Sequence, residues 1–306
     1  MNKLAFVFPG QGSQSVGMLD GLMDHPEVTA CLKTANEVLG IDLLNMVNQG
    51  PAEELNQTQW TQPALLATSV GIYRAIMARK EIQVTVMAGH SLGEYSALVC
   101  AGAVDFADAI QLVHKRGTYM QQAVPAGTGS MAAVLGLDEA SVEAACAQAN
   151  GQVSPANYNS PGQIVIAGET EAVTEASQLC SDAGAKKVMP LAVSVPSHCA
   201  LMRPAAEQLK ADLDATEWQT PQVPVLHNVD VQSHESEAAI KAALTQQLFA
   251  PVRWTETMQA LQNQGVDTVA ECGPGKVLSG LFKRFDRNLQ VIPLLNAKGF
   301  QSLIGE

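Results

Sequence analysis

Residues 84–101 constrain this chain more than any other stretch. Residues 84–88, four apolar side chains and Thr85, partly β-branched, read as a short buried strand. A helix-forming run covers 92–101, and Gly102 stands where a glycine ends a helix. Between them lies Gly89-His90-Ser91-Leu92-Gly93, a G-x-S-x-G pattern. Strand, sharp turn and helix with a serine at the apex form a nucleophile elbow. The glycines let the helix pass close to the strand. The helix N-terminus offers free N–H groups and a favourable dipole to an oxyanion beside Ser91. Ordinary strand–helix turns also produce G-x-S-x-G, so the reading depends on partners for Ser91.

The 306 residues suffice for one large domain, or for one domain and a smaller one. With 47% hydrophobic residues, the chain can build a sizeable core. A net charge of −12 argues against nucleic acid as a partner, because phosphate repels such a surface. The six cysteines are scattered, with no C-x-x-C and no zinc-type spacing, so no metal is expected and the thiols read as buried and reduced. Residues 4–8 are too short for a signal-peptide core, and no segment approaches a membrane span. A soluble cytoplasmic protein is the expectation.

In chain order, residues 4–8 read as a strand, followed by the loop Pro9-Gly10-Gln11-Gly12-Ser13-Gln14. A dinucleotide fingerprint would need glycine at position 15, where Ser15 stands, and no P-loop pattern occurs. The loop is either a plain turn or the source of a second oxyanion donor, meeting Ser91 from across the sheet. Helices are expected over 26–40 and 42–49, and another opening at Gln62-Pro63. Asp105 caps a further helix reaching about residue 122.

That last helix carries an anomaly. Ala109, Leu112, Val113 and Met120 form its apolar stripe, and Arg116 falls in the middle of it. A guanidinium on a core-facing stripe needs an anion. Periodicity leaves two sources open, an internal carboxylate or the carboxylate of a substrate held bidentately.

From 127 to 191 the predicted order is β-α-β-β-α-β, a ferredoxin-like pattern. Its strands are 131–137, 152–158, 163–167 and 186–191, with Asn159-Ser160-Pro161-Gly162 as the central turn. Then a helix running to residue 215 has His198 at its start, where the dipole favours neutral imidazole. Strands over 223–229 and 267–271, a helix around 254–264 and a helix after Gly273-Pro274-Gly275-Lys276 complete the reading.

Ser91 needs a base, and the chain has six histidines. His25 and His234 sit in polar loops, His114 on an exposed helix face, and His90 points away from its neighbour Ser91. His198 and His227 remain, and His198 is better placed, at a loop–helix junction. The order Ser, insertion, His, without an HGGG loop, argues against an α/β-hydrolase proper.

Taken together, Gly10-Gln11-Gly12-Ser13-Gln14, Gly89-His90-Ser91-Leu92-Gly93-Glu94, Arg116, Asn157-Tyr158-Asn159-Ser160-Pro161-Gly162, Pro196-Ser197-His198, Gln247 before Pro251-Val252, and Gly273-Pro274-Gly275-Lys276 resemble the bacterial malonyl-CoA:acyl carrier protein transacylases of type II fatty acid synthesis. The resemblance spans essentially the whole chain. It implies an α/β fold, a large α/β-hydrolase-like domain (1–126 and 192–306) with a short, mainly parallel sheet, plus an inserted ferredoxin-like subdomain (127–191). It implies Ser91 as acyl-carrying nucleophile, His198 as base and Gln247 orienting His198 through its backbone carbonyl. Gln11 and Leu92 would supply oxyanion N–H groups, and Arg116 would bind the malonyl carboxylate. It implies malonyl-CoA as substrate, acyl carrier protein as partner and no bound cofactor. An acidic carrier would need a local basic patch on this acidic protein. Lys276, Lys283, Arg284 and Arg287, near one helix face, are the first candidates, and Lys186 and Lys187 the second. A hydrolase and a non-catalytic carrier-binding protein stay open beside acyl transfer.

Overall fold

The computed structural model describes residues 3–125, 127–193 and 195–305. Ala126, where the sequence places a domain boundary, and Ser194, just before the His198 segment, lie outside the described residues.

The chain opens with β1 (Leu4–Phe8), α1 (Pro26–Leu39), α2 (Leu43–Gln49), α3 (Ala52–Leu55) and α4 (Thr58–Arg79). It continues through β2 (Val86–Gly89), α5 (Gly93–Cys100) and α6 (Phe106–Gln122). Next come β3 (Gly129–Leu135), α7 (Glu139–Gln148), β4 (Val153–Ser160), β5 (Gln163–Glu169), α8 (Thr170–Asp182) and β6 (Lys187–Pro190). The last third holds α9 (Arg203–Ala215), β7 (Val225–Leu226), α10 (Glu237–Gln247), α11 (Trp254–Asn263), β8 (Thr268–Glu271), α12 (Val277–Phe285), β9 (Gln290–Pro293) and α13 (Ala297–Ile304).

Two sheets result. One is parallel throughout, in the order β7-β2-β1-β8-β9. Helices cover both of its faces, which is why β1 is apolar without alternation. Leu4, Phe6 and Phe8 pack into the large core with α1, α4 and α6, while Ala5 and Val7 face Trp254, Met258 and Phe282. The other sheet is antiparallel, in the order β4-β5-β3-β6. One face of it packs on α7 and α8, and the other turns Met131, Ala133 and Val165 toward Cys199. The sheets are tied together at Val252, whose N–H donates to the Ala156 carbonyl at 2.9 Å and whose carbonyl accepts from Tyr158 N–H at 2.9 Å.

Several elements differ from the sequence expectation. Helix α4 starts at Thr58, so Pro63 lies inside it and not in its first turn. Proline has no N–H for the Gln59 carbonyl one turn back. His114 fills that gap, donating from Nδ1 to Gln59 O at 3.1 Å and stacking on Trp60, and is therefore half-buried where the sequence put it on an exposed face. The strand expected over 223–229 is only Val225–Leu226. The turn between β4 and β5 is Pro161-Gly162 alone. Helices α3, α10 and α13 and strand β9 have no counterpart in the sequence reading. Among the described residues no helix is long and apolar enough to cross a membrane.

Candidate active site

The segments that follow the C-terminal ends of the adjacent strands β2, β1 and β8 line one crevice, where open parallel sheets place their ligands. The loop holding Gln11 leaves β1, and the elbow leaves β2, its immediate neighbour, with Phe8 paired to Gly89. The loop thus meets Ser91 from the next strand and not from across the sheet. Gln11, Ser91, Leu92, Arg116 and His198 line a shared cavity of about 350 Å³.

The elbow is tight enough to explain its glycines. A Cβ on Gly89 would sit 1.9 Å from the Gly93 carbonyl carbon, and one on Gly93 would sit 2.0 Å from the Phe8 oxygen. Ser91 itself has φ +53, an unfavourable backbone for a side-chain-bearing residue. Three hydrogen bonds hold it there. Its N–H donates to Asn228 Oδ1 at 2.7 Å, and its carbonyl accepts from Gln247 Nε2 at 2.9 Å and from Glu94 N–H at 3.1 Å. Asn228 is anchored in turn by Nδ2 donating to the Gly89 carbonyl at 2.7 Å.

His198 approaches from the other side. The helix after it begins only at Arg203, preceded by a short 3₁₀ turn at Ala200–Met202. The imidazole therefore does not sit at an α-helix N-terminus, as the sequence suggested. Its place comes from its own left-handed backbone, φ +62, and from its N–H donating to the Leu248 carbonyl at 3.0 Å. Nδ1 lies 2.7 Å from the Gln247 carbonyl, which can only accept, so the ring proton is on Nδ1. Nε2 then turns its lone pair to Ser91 Oγ at 2.8 Å. Burial, and after it the charge of Arg116, push the His198 pKa down to about 3. The imidazole is neutral and can accept a proton.

Arg116 is 1% exposed. Its Nη1 donates to Gln62 Oε1 at 2.8 Å, and its Nη2 to Gln247 Oε1 at 2.9 Å and to Ser91 Oγ at 3.3 Å. Its Cζ lies 5.5 Å from the centre of the Tyr95 ring. Among the described residues Nε has no partner and no carboxylate lies within ion-pair distance. Burial lowers its pKa, while Tyr95 and Glu94 oppose that shift. Of the two anion sources the sequence left open, the internal salt bridge is absent among the described residues.

His227, the alternative base, is fully buried and bonds Glu94 at 2.7 Å, away from Ser91. His90 reaches out to Asn159 Oδ1 at 2.8 Å, linking the elbow to β4. The structure thus brings Ser91, His198, Gln247 and Arg116 into direct contact, and sets Gln11 and Leu92 in the same cavity wall. Helix α12 adds Val277, Leu278 and Leu281 to that wall. Lys276, Lys283, Arg284 and Arg287 are exposed along and just past α12, but the helix stops at Phe285, so Arg287 is off its face. Arg284 bonds Gln163 at the start of β5. Lys186, just before β6, and Lys187, its first residue, are exposed. The sequence reading assigns no role in the site to Gln62, Glu94 or Asn228, although Glu94 closes the Gly89–Glu94 motif. Glu94 and Asn228 show the signal of Arg116, a polar residue among mostly apolar neighbours, and Gln62, between Thr61 and Pro63, does not.

Residues 5–292 match the family model of the acyl transferase domain. The chain belongs to the acyl transferase family. Among its relatives, the malonyl CoA-acyl carrier protein transacylase of Haemophilus influenzae is 55% identical over 307 residues, covering 99% of this chain and 98% of the relative. The transacylase of the same description from Escherichia coli K12 is 55% identical over 287 residues, 93% of each chain. Among solved structures, the malonyl CoA-acyl carrier protein transacylase of Coxiella burnetii superposes with a TM-score of 0.98 at 48% identity, covering 99% of this chain and 97% of that one. A malonyl-transacylase in complex with a type II polyketide synthase acyl-carrier protein has a TM-score of 0.98 at 52% identity, with both chains fully covered. This acyl transferase is thus an enzyme whose fold, a parallel and an antiparallel sheet in one α/β chain, is that of solved relatives over its whole length.

Proposed function

We propose that this acyl transferase moves a malonyl group from malonyl-CoA to the phosphopantetheine thiol of an acyl carrier protein, through a malonyl ester on Ser91, supplying fatty acid synthesis in the cytoplasm. The observation that carries the reading is Arg116, a buried guanidinium without an ion-pair partner among the described residues, in contact with the Ser91 hydroxyl. A malonyl thioester presents a free carboxylate close to its reacting carbonyl, and that carboxylate is the missing anion.

In the first half-reaction His198 Nε2 takes the Ser91 Oγ proton as Oγ attacks the thioester carbonyl. The Gln11 and Leu92 N–H groups stabilise the oxyanion. As the intermediate collapses the C–S bond breaks, and coenzyme A leaves as a thiol carrying the proton from His198. The second half-reaction is the same in reverse, with the carrier's thiol attacking the ester, so the kinetics are ping-pong. Gln247 holds the imidazole through its carbonyl, in the place of a triad carboxylate. This chemistry requires no cofactor. The large domain (1–126 and 192–306) is read as α/β-hydrolase-like, and 127–191 as an inserted ferredoxin-like subdomain, a view supported by the all-antiparallel order β4-β5-β3-β6. The basic residues about α12 are the proposed carrier-docking surface.

Intact-mass measurement after mixing with malonyl-CoA tests this. The expected result is one malonyl adduct, stable over minutes, discharged by carrier protein and absent in Ser91→Ala. Rapid loss to water would mean a hydrolase. No adduct on the wild type would mean a non-catalytic protein.

A further inference from the structure

Glu94 is fully buried, three residues past Ser91 on the first turn of α5, and the mechanism above gives it no task. Its Oε1 accepts from His227 Nδ1 at 2.7 Å. Its Oε2 accepts from Asn228 N–H at 2.9 Å and from Gln247 Nε2 at 2.9 Å. Gln247 in turn accepts from Arg116 Nη2 on its side-chain oxygen. A guanidinium can only donate and a carboxylate can only accept, so this amide has a single orientation. Cation, amide and anion form a line, Arg116–Gln247–Glu94.

We propose that Glu94 is a positioning residue and internal counter-charge that sets how tightly Arg116 grips the substrate carboxylate. The inference rests on the reading of Arg116 given under the proposed function. Glu94 orients the Gln247 amide, and that amide holds one arm of the guanidinium. Its charge also reaches Arg116, whose pKa it raises. An incoming carboxylate therefore meets a cation already partly balanced, with a second anion behind it. Binding is weaker than to a bare guanidinium in so dry a site. That restraint serves a ping-pong enzyme. The carboxylate is held equally before, during and after acyl transfer, and uniform tight binding adds nothing to turnover while it slows release.

Glu94→Gln removes the charge with little change of shape. The oxygen of the new amide can keep the bonds from Asn228 and Gln247, and its NH₂ can face His227. That histidine can accept at Nδ1 by moving its proton to Nε2, which has no partner. The experiment measures the rate of Ser91 acylation against malonyl-CoA and acetyl-CoA concentration, with turnover to the carrier. The expected result is a half-saturating malonyl-CoA concentration lower by roughly tenfold, a slower turnover, and acetyl-CoA acylation within about twofold of wild type. An unchanged or raised malonyl-CoA value, or equal loss with both thioesters, overturns the proposal. Glu94→Asp keeps the charge and shortens the chain, so it serves if the amide variant does not fold. It should hold the malonyl-CoA value within about threefold of wild type while turnover falls, whereas a tenfold rise would overturn the proposal. Wild-type labelling in the same series separates the two levels. Its absence sinks the proposed function and this inference together, and its presence with a negative result in the variants sinks this inference alone.

Discussion

At the scale of single residues, the site is a set of buried polar groups whose protonation follows from what each partner can accept. Arg116 and His198 are electrically coupled, since the guanidinium charge is the second cause of the depressed imidazole pKa. Arg116→Ala should lower malonyl transfer by roughly 10²-fold, the worth of a buried charge-assisted contact, while sparing acetyl transfer. Arg116→Lys should rescue poorly, because a point charge does not reproduce the fork that bonds Gln62, Gln247 and Ser91 together. The coupling adds a pH signature. Protonated imidazole cannot accept the Ser91 proton, so acylation falls as pH drops through the His198 pKa. In the wild type that acid limb lies at about 3, where burial and the Arg116 charge hold the imidazole. In Arg116→Ala the limb for acetyl-CoA should move to higher pH, because the cation that disfavoured imidazolium is gone. Acetyl-labelling rates of both proteins from pH 7 downward measure this. Coincident limbs would mean that burial alone sets the imidazole.

At the scale of elements, the sequence showed most where a local rule and the tertiary environment agree. Strand β1, the elbow, the Asp105-capped α6 and the β-α-β-β-α-β run all follow from periodicity, caps and turn residues. Arg116 was legible because one charge interrupts an apolar stripe. What stayed hidden depends on distant partners. Helix α10 has an ordinary Ser236 cap, but its purpose, to deliver Gln247 to the elbow, arises only from the fold. Glu94 and Asn228 meet 134 residues apart in sequence. Strand β9 is recognisable only once β8 is beside it. Helix α12 carries the prediction at this scale. It walls the cavity with Val277, Leu278 and Leu281 and exposes Lys276 and Lys283. Reversing both charges should slow discharge of the malonyl-enzyme to an acidic carrier several-fold at low salt, an effect that salt erases, and leave acylation by malonyl-CoA unchanged. Lys283 is the better test than Arg284, whose bond to Gln163 also ties α12 to the antiparallel sheet. If both half-reactions slow together, the residues serve coenzyme A or the fold.

At the scale of the whole molecule, burying neutral histidines makes stability depend on acid. The pKa values of His198, His90 and His25 are all lowered, in each case chiefly by burial, from the ordinary 6.5. Below pH 6.5 the unfolded chain binds protons at these positions that the folded chain does not, so stability falls as pH falls. His198 contributes from 6.5 down to about 3, below which both states are protonated and its effect is constant. One such group costs about 1.4 kcal/mol per pH unit, so His198 alone removes roughly 2 kcal/mol between pH 6.5 and 5. Glu271 works in the opposite sense. Burial raises its pKa, so in the window above 4.5 the folded state binds the extra proton and gains stability as pH drops. Its carboxylate still accepts from the Leu278 and Ser279 N–H groups at the start of α12. The three histidines outnumber Glu271 and the more exposed Glu139, whose pKa is raised too, and the net slope should be positive from pH 5 to 6.5. Urea midpoints at pH 7 and 5 measure the slope, and His198→Gln apportions it. That variant should lose the share belonging to His198 and flatten the profile. A wild-type profile already flat over this range, or a variant with an unaltered slope, would mean that His198 is not held neutral by burial, and the base assigned to Ser91 would lose its physical ground.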